Sequence, residues 1–512
     1  MVSTSTVVMS AKTKGKIRHF LVLWWQKSYT SDIIISGISI RPRFHMRKPA
    51  CSPGSRLLYR ANIKLANEQD KLMNLSISEQ NDESGLATGR KSKLLGSLTS
   101  SRNELRVVDL FAGAGGMSLG FLMSGNQKKG YRIIQAAEKH PVYVKSLERN
   151  HNYFARNATN QVDNCALKQY FPVDLESQIG RNLIKESATH SGGVDILIGG
   201  PPCQGFSQSN RNSWSADNPY NKLVDIFVKC AIELEPKVIL MENVQGILWT
   251  PRPSKRQAKE LGVVDYISEN LMSAGYILFP AVVDAAWYGV PQHRNRFFLL
   301  ALHKNLGYVA NDFGDWGAFP MPTHGFMGKN DYVTVRDAIS DLPKIKNGEN
   351  RVVQKYREPS KEKLETNPFL KLMREMSPEE IIEGHLVSQQ ADYVIERYKN
   401  IPQGGNWEDI RHMMNNYADI SRTHSNIYRR LMWSEPSITI GNYRKSMIVH
   451  PQQDRGLSLR EASRLQSLPD WFTLCGNLDD SAPGGIMHKQ QQLANAVSFL
   501  LTKAIAQYIL EL

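Results

Sequence analysis

Residues 105–123 constrain this chain more than any other stretch. Leu105-Arg106-Val107-Val108-Asp109-Leu110 reads as a short buried strand. It runs directly into Phe111-Ala112-Gly113-Ala114-Gly115-Gly116, and a helical pattern follows from Met117 to Met123. A strand, a glycine turn and a helix form the first half of a nucleotide-binding βαβ unit. The next strand is predicted over Tyr131–Ala137 and ends in Glu138, where an acid grips a ribose diol in such units. A dinucleotide fingerprint requires Gly-x-Gly-x-x-Gly, but the sixth position from Gly113 is Ser118. The loop therefore does not match a pyrophosphate cradle, and an adenosine ligand without phosphates fits better.

Further elements alternate along the chain. Strands are predicted over Val194–Ile198, Val238–Met241, Ile277–Val283 and Arg296–Leu302, and helices over Lys222–Leu234 and Ala258–Ala274. This pattern argues for an α/β doubly wound fold with its ligands at the carboxyl ends of the strands. Asp109, Glu138, Cys203 and Glu242 all fall at such ends, which is the argument for one composite site.

Cys203 follows Pro201-Pro202 on a stiff loop, and a thiolate there is a strong nucleophile beside an activated electrophile. The plain alternative is a small loop residue. Cys230 belongs to an apolar helix face. None of the five cysteines forms a Cys-x-x-Cys pair or a zinc pattern, so no metal is expected. Glu242 closes the run Val238-Ile239-Leu240-Met241, where partial burial raises a carboxyl pKa; a surface or capping acid is the alternative. Arg294 and Arg296 alternate along an extended run and share a face. Two guanidinium groups there suit phosphates or a carbonyl oxygen. Taken alone, a solvated edge strand explains them equally.

Charge narrows the partner class less than it first suggests. The net charge is +14, from 63 Lys and Arg against 49 acids. Residues 1–60 hold eleven of the basic residues and one acid, Asp32, and the first hundred residues carry +10. The remaining 412 carry only +4, so nucleic-acid binding by the ordered part requires a local basic cleft and not bulk charge. Residues 1–100 read as a basic, disordered extension and linker. A solvated tail, or a true start at Met46 or Met73, is favoured there over a DNA-contacting arm or a targeting segment. No run reaches the roughly 18 to 20 apolar residues of a membrane span, so no membrane partner is expected.

Taken together, six blocks resemble the DNA cytosine-5 methyltransferases, in that family's order. They are Asp109–Phe121, Gly199–Ser207, Glu242-Asn243-Val244, Tyr288–Arg296, Arg460–Asp470 and Gln492–Val497. The resemblance implies S-adenosyl-L-methionine as methyl donor and duplex DNA as substrate. It implies that Cys203 attacks C6 of cytosine, that Glu242 engages N3, that Arg296 lies near O2 and that Arg294 supports the site. Asp109, Phe111, Gly113 and Gly115 line the cofactor pocket by the same likeness. Glu138 holds the ribose, Asp174 the adenine amino group, and Asn495 and Val497 close the methionine end. The target base must be flipped from the helix, and residues 206–221 are placed as a lid. Two departures stand out. An arginine usual in the run Asp217–Leu223 is absent, and Ala494 replaces a glycine before Asn495.

The resemblance divides the chain into a catalytic part over 101–302, a target-recognition region over 303–455 and a returning segment over 456–512. It also implies a monomer from a bacterial or phage modification system, with a cognate restriction endonuclease as a partner. The location is then cytoplasmic, or nuclear in a eukaryote. Two other readings are an RNA (tRNA) methyltransferase of the same family and a catalytically silent DNA-binding protein on this fold. The intact set of Cys203, Glu242 and Arg296 weighs against the second.

Overall fold

The computed structural model describes residues 104–126, 128–159, 165–202, 219–248, 262–349, 353–356, 361–377, 381–417, 426–443, 447–479 and 485–512. Cys203, most of the expected lid, the start of the helix expected from Ala258, and the N-terminal extension lie outside these residues.

Six strands build the main sheet: β1 (Glu104–Leu110), β2 (Gly130–Ala137), β3 (Ile196–Gly199), β4 (Val238–Val244), β5 (Tyr276–Asp284) and β6 (Asn295–His303). Their order is β2-β1-β3-β4-β6-β5. The first four are parallel, as the alternation with helices predicts. The central strands read as continuous apolar runs because helices cover both faces; Ile196–Ile198 and Val238–Met241 are fully buried. The flanking helices are α1 (Gly116–Leu122), α2 (Pro141–Asn157), α3 (Gln178–His190), α4 (Pro219–Leu234) and α5 (Val263–Ser273).

One feature departs from a purely parallel sheet. β6 is antiparallel to both β4 and β5. A reversed strand presents its first residues at the edge where its neighbours present their last. Arg296 therefore pairs with Val244, at the carboxyl end of β4. This reversal brings the arginine run to the same edge as Asp109, Glu138 and Glu242.

The later residues form short helices: α6 (Val335–Ile339), α7 (Lys361–Thr366), α8 (Pro368–Arg374), α9 (Asp392–Lys399) and α10 (Leu459–Leu465). A small antiparallel pair, β7 (Val353–Lys355) with β8 (Ile381–Glu383), lies among them. A second, smaller core gathers Val394, Tyr398, Trp407, Ile410, Tyr428 and Val449. Buried Arg430 ties its segments together, donating to the carbonyls of Tyr398, Ile401 and His450.

The chain then returns through α11 (Ile486–Asn495) and α12 (Phe499–Glu511). The stretch Ile486–Glu511 has the length and apolar composition of a membrane span, although the sequence shows no uninterrupted run. Its composition has a local cause. The helix breaks at Ala496, and Phe499, Ile505 and Ile509 are fully buried in the core. α12 packs on α1 at Gly120, where an added Cβ would lie 2.8 Å from the Phe499 carbonyl oxygen and 2.7 Å from Lys503 N. Only glycine permits that approach.

Candidate active site

The loop after β1 is set by unusual backbone conformations. Phe111, Gly113 and Gly115 all have positive φ (60°, 57° and 89°). For Phe111 this is a strained conformation that the surroundings must impose. Ala112 N–H bonds the Ala137 carbonyl at 2.9 Å, and Gly113 N–H bonds Glu138 Oε2 at 3.1 Å. Glu138 Oε1 accepts from His140 N–H at 2.7 Å. Burial pushes the Glu138 pKa up, and these N–H groups oppose the shift.

Beneath the loop, Asp109 is buried and its Oδ2 has no hydrogen-bond partner. Its pKa is pushed up to about 7, chiefly by desolvation; the Ser118 hydroxyl opposes the shift and the Glu138 charge adds to it. Ser118 Oγ lies 2.9 Å from His151 Nε2, and His151 Nδ1 lies 2.9 Å from the Tyr170 hydroxyl. Burial pushes the His151 pKa down to about 3, so the imidazole is neutral. Asn150 donates to the Ala114 carbonyl at 3.0 Å and accepts from Thr473 N–H at 2.8 Å. Neither Asn150 nor His151 was marked by the sequence motifs. The available signal was a polar pair on the stripe of α2 that carries Val144, Leu147 and Phe154.

Asp174 and Val497, two of the other expected cofactor residues, lie beside this loop. Val173 N–H bonds the Glu138 carbonyl at 2.8 Å, so Asp174 stands beside the end of β2 despite its distance in sequence. Asp174 Oδ2 pairs with Lys139 at 2.8 Å, and that contact holds its pKa down. Val497 abuts Gly116, where a Cβ would meet the Val497 carbonyl oxygen at 2.7 Å. Asn495 ends α11 and is exposed. Ala494 lies within that helix, so its methyl group meets no turn; the chain turns at Ala496.

An adenosine-bearing sulfonium cofactor suits this arrangement. No atom lies within 4 Å of a Cβ built on Gly113, so the loop leaves open space there. Glu138 retains acceptor capacity for hydroxyl groups, and Asp109 places an unpartnered carboxyl oxygen under the loop.

On the other side of β1, Glu242 lies in β4 and not past its end. It is buried, and its Oε1 is 3.1 Å from Arg296 Nε. Burial pushes the Glu242 pKa up, while Arg296 and then Arg294 pull it back. Asn243 donates to the Pro201 carbonyl at 3.0 Å. A Cβ on Gly200 would lie 3.1 Å from Glu242 Oε2. The segment that leads into Cys203 therefore starts against Glu242.

The alternation alone suited Arg294 to phosphates or a carbonyl oxygen, and its guanidinium is turned to backbone carbonyls. It is buried, and it donates to the carbonyls of Ile440 (2.9 Å), Ala494 (2.8 Å) and Ala496 (3.1 Å). Its commitment is to protein backbone, whereas Arg296 faces the site. Cys165, Cys230 and Cys475 are buried. Desolvation pushes the thiols of Cys165 and Cys230 up to about 11, which leaves them poor nucleophiles.

The sheet, the glycine loop and a buried glutamate paired with arginine at one edge define a Rossmann-like methyltransferase. The chain belongs to the C-5 cytosine-specific DNA methylase family, whose model matches residues 105–511. It is a DNA (cytosine-5)-methyltransferase. It is 30% identical over 410 residues to the type II methyltransferase M1.HphI of Haemophilus parahaemolyticus, covering 80% of this chain and 87% of that protein. It is 29% identical over 414 residues to the type II methyltransferase M.DdeI of Desulfomicrobium norvegicum, covering 79% and 88%. Among solved structures, a candidate DNA modification methyltransferase encoded within an E. coli prophage superposes with a TM-score of 0.54. That match has 26% identity and covers 80% of this chain and 99% of the other.

Proposed function

We propose that the enzyme methylates C5 of a cytosine flipped out of duplex DNA, through a covalent adduct with Cys203. The observation that carries this reading is the buried Glu242–Arg296 pair, set against Gly200, three residues before the cysteine, while Asn243 holds the Pro201 carbonyl. The Cys203 thiolate adds to C6 of the ring. Glu242, whose pKa burial raises, hydrogen-bonds N3 and stabilises the charge that develops there. Arg296 faces O2, and Arg294 holds the segment in place. C5 then carries enough electron density to accept a methyl group, which S-adenosylmethionine supplies when bound. Loss of the C5 proton and departure of the thiolate restore the ring and release 5-methylcytosine.

In the same reading Phe111, Gly113, Gly115, Glu138, Asp174, Asn495 and Val497 hold the cofactor, with Asp109 beneath them. Residues 303–455 recognise the target, a reading that the separate small core within 394–449 supports, and 456–512 complete the catalytic part. The relatives are named as type II methyltransferases, which supports service in a restriction-modification system beside a cognate endonuclease.

Purified full chain with methyl-labelled S-adenosylmethionine tests this directly. Label should enter duplex DNA in preference to tRNA, Cys203→Ser should abolish turnover, and a 5-fluorocytosine duplex should trap the protein covalently. Methyl transfer by Cys203→Ser at the normal rate would sink the mechanism.

A further inference from the structure

Three side chains converge on the backbone of Ile440. Gln292 Oε1 accepts its N–H at 2.9 Å. Its carbonyl accepts from Arg294 Nη1 at 2.9 Å and from Gln466 Nε2 at 3.1 Å. Gln292 and Gln466 are fully buried, and Arg294 is almost so. The same groups reach the end of α11: Gln466 Nε2 donates to Leu493 O at 2.7 Å, and Arg294 Nη2 to the carbonyls of Ala494 and Ala496. The last carbonyls of a helix lack intrahelical partners and favour a cation, so these donors are the C-terminal cap of α11. Ile440 belongs to the region read as target recognition. The end of α11 carries Asn495, read as cofactor-binding.

We propose that Gln466 is a positioning residue that couples DNA binding to cofactor binding, through the Ile440 carbonyl that it shares with Arg294. The inference rests on the site assignments made under Proposed function. A shift of the 437–440 backbone on DNA cannot leave these donors in place without also moving the α11 cap. Replacement of Gln466 by Met keeps the volume and removes both donors, while the groups expected to touch either ligand remain.

The test uses S-adenosylhomocysteine and a duplex bearing the sequence that the enzyme itself methylates, read from bisulfite sequencing. The duplex should tighten S-adenosylhomocysteine binding by at least about fivefold in the unaltered enzyme, at the low end of ordinary coupling. In Gln466→Met that factor should fall below about twofold, with affinity in the absence of DNA within about threefold of normal. An unchanged factor in a variant with a normal unfolding transition would overturn the proposal, as would no coupling in the unaltered enzyme. Should the variant not fold, hydrogen exchange on the unaltered enzyme decides. S-adenosylhomocysteine alone should slow amide exchange over 438–441, and no slowing despite binding would overturn the proposal. Failure of S-adenosylhomocysteine to bind at all reads differently, because it overturns the cofactor site and this coupling together.

Discussion

Arg296 Nε meets Glu242 Oε1 at 3.1 Å along the diagonal of the β4–β6 pair, two residues from the register partners Val244 and Phe298. Diagonal neighbours on one sheet face reach each other only with long side chains. Arg296→Met leaves Glu242 buried without its nearer cation. Methyl transfer in a single turnover should then fall by about 10²- to 10³-fold, the range for loss of one charge-stabilising donor. Burial raises the Glu242 pKa against the pull of Arg296 and Arg294. If the protonated form is the working one, the rate declines as pH rises through that pKa. Glu242→Gln should be slower and should lack this alkaline decline, as a single-turnover pH profile would show.

Asp109 and His151 make opposite contributions to stability against pH. Asp109 holds its proton up to about 7 when folded, against an ordinary carboxyl value of 3.8. Between those values the folded state binds more protons, so its contribution falls as pH rises. His151 has a folded pKa of about 3 against 6.5, so in that window the unfolded state binds more protons and stability rises with pH. Relative to the unaltered protein, Asp109→Asn should gain about 2 kcal/mol between pH 5.5 and 8. His151→Gln should show the opposite slope below pH 6.5. Urea midpoints across pH measure both.

Two glycines separate packing from binding. At Gly120 a methyl group collides with backbone of α12, and Gly120→Ala should cost about 1–3 kcal/mol by overpacking. At Gly113 a methyl group enters open space but strains a φ of +57°. Gly113→Ala should lose only about 1 kcal/mol of stability, yet weaken S-adenosylhomocysteine binding. Calorimetric unfolding and a binding isotherm on each variant distinguish the two.

Arg464 bridges two buried acids, Asp341 and Asp470, with Asp470 Oδ2 at 2.6 Å from its Nη2. Arg464→Met removes the cation between them and leaves Asp341 to Arg374 and Asp470 to the Tyr356 hydroxyl. It should cost about 3–5 kcal/mol or prevent folding at 37 °C, as thermal unfolding would show.

The sheet's strands, the glycine loop and the carboxyl-edge placement of Asp109 and Glu138 were legible because period, turn chemistry and strand ends are local properties. The reversal of β6 was not, since an apolar run such as Phe297–Leu302 looks the same in either direction. Arg294 and Arg296 were found by spacing, but only three-dimensional partners separate their roles: one ends on Ile440, Ala494 and Ala496, the other on Glu242. Asn150 and His151 were missed because a helix with a good apolar stripe conceals two polar members. The late block at 460–470 resembled a family motif, and its arginines proved to be buried ion-pair and carbonyl donors.

Seating α12 on α1 has a consequence for how the chain is made. Tyr131 donates its hydroxyl proton to the Ala506 carbonyl, a partner 375 positions later. During synthesis the glycine face of α1 waits, uncovered, while nearly the whole sheet and the small core emerge. Such long-range closure slows folding and leaves apolar surface open to other chains. Newly made copies should therefore depend on chaperones most in the interval before α12 arrives.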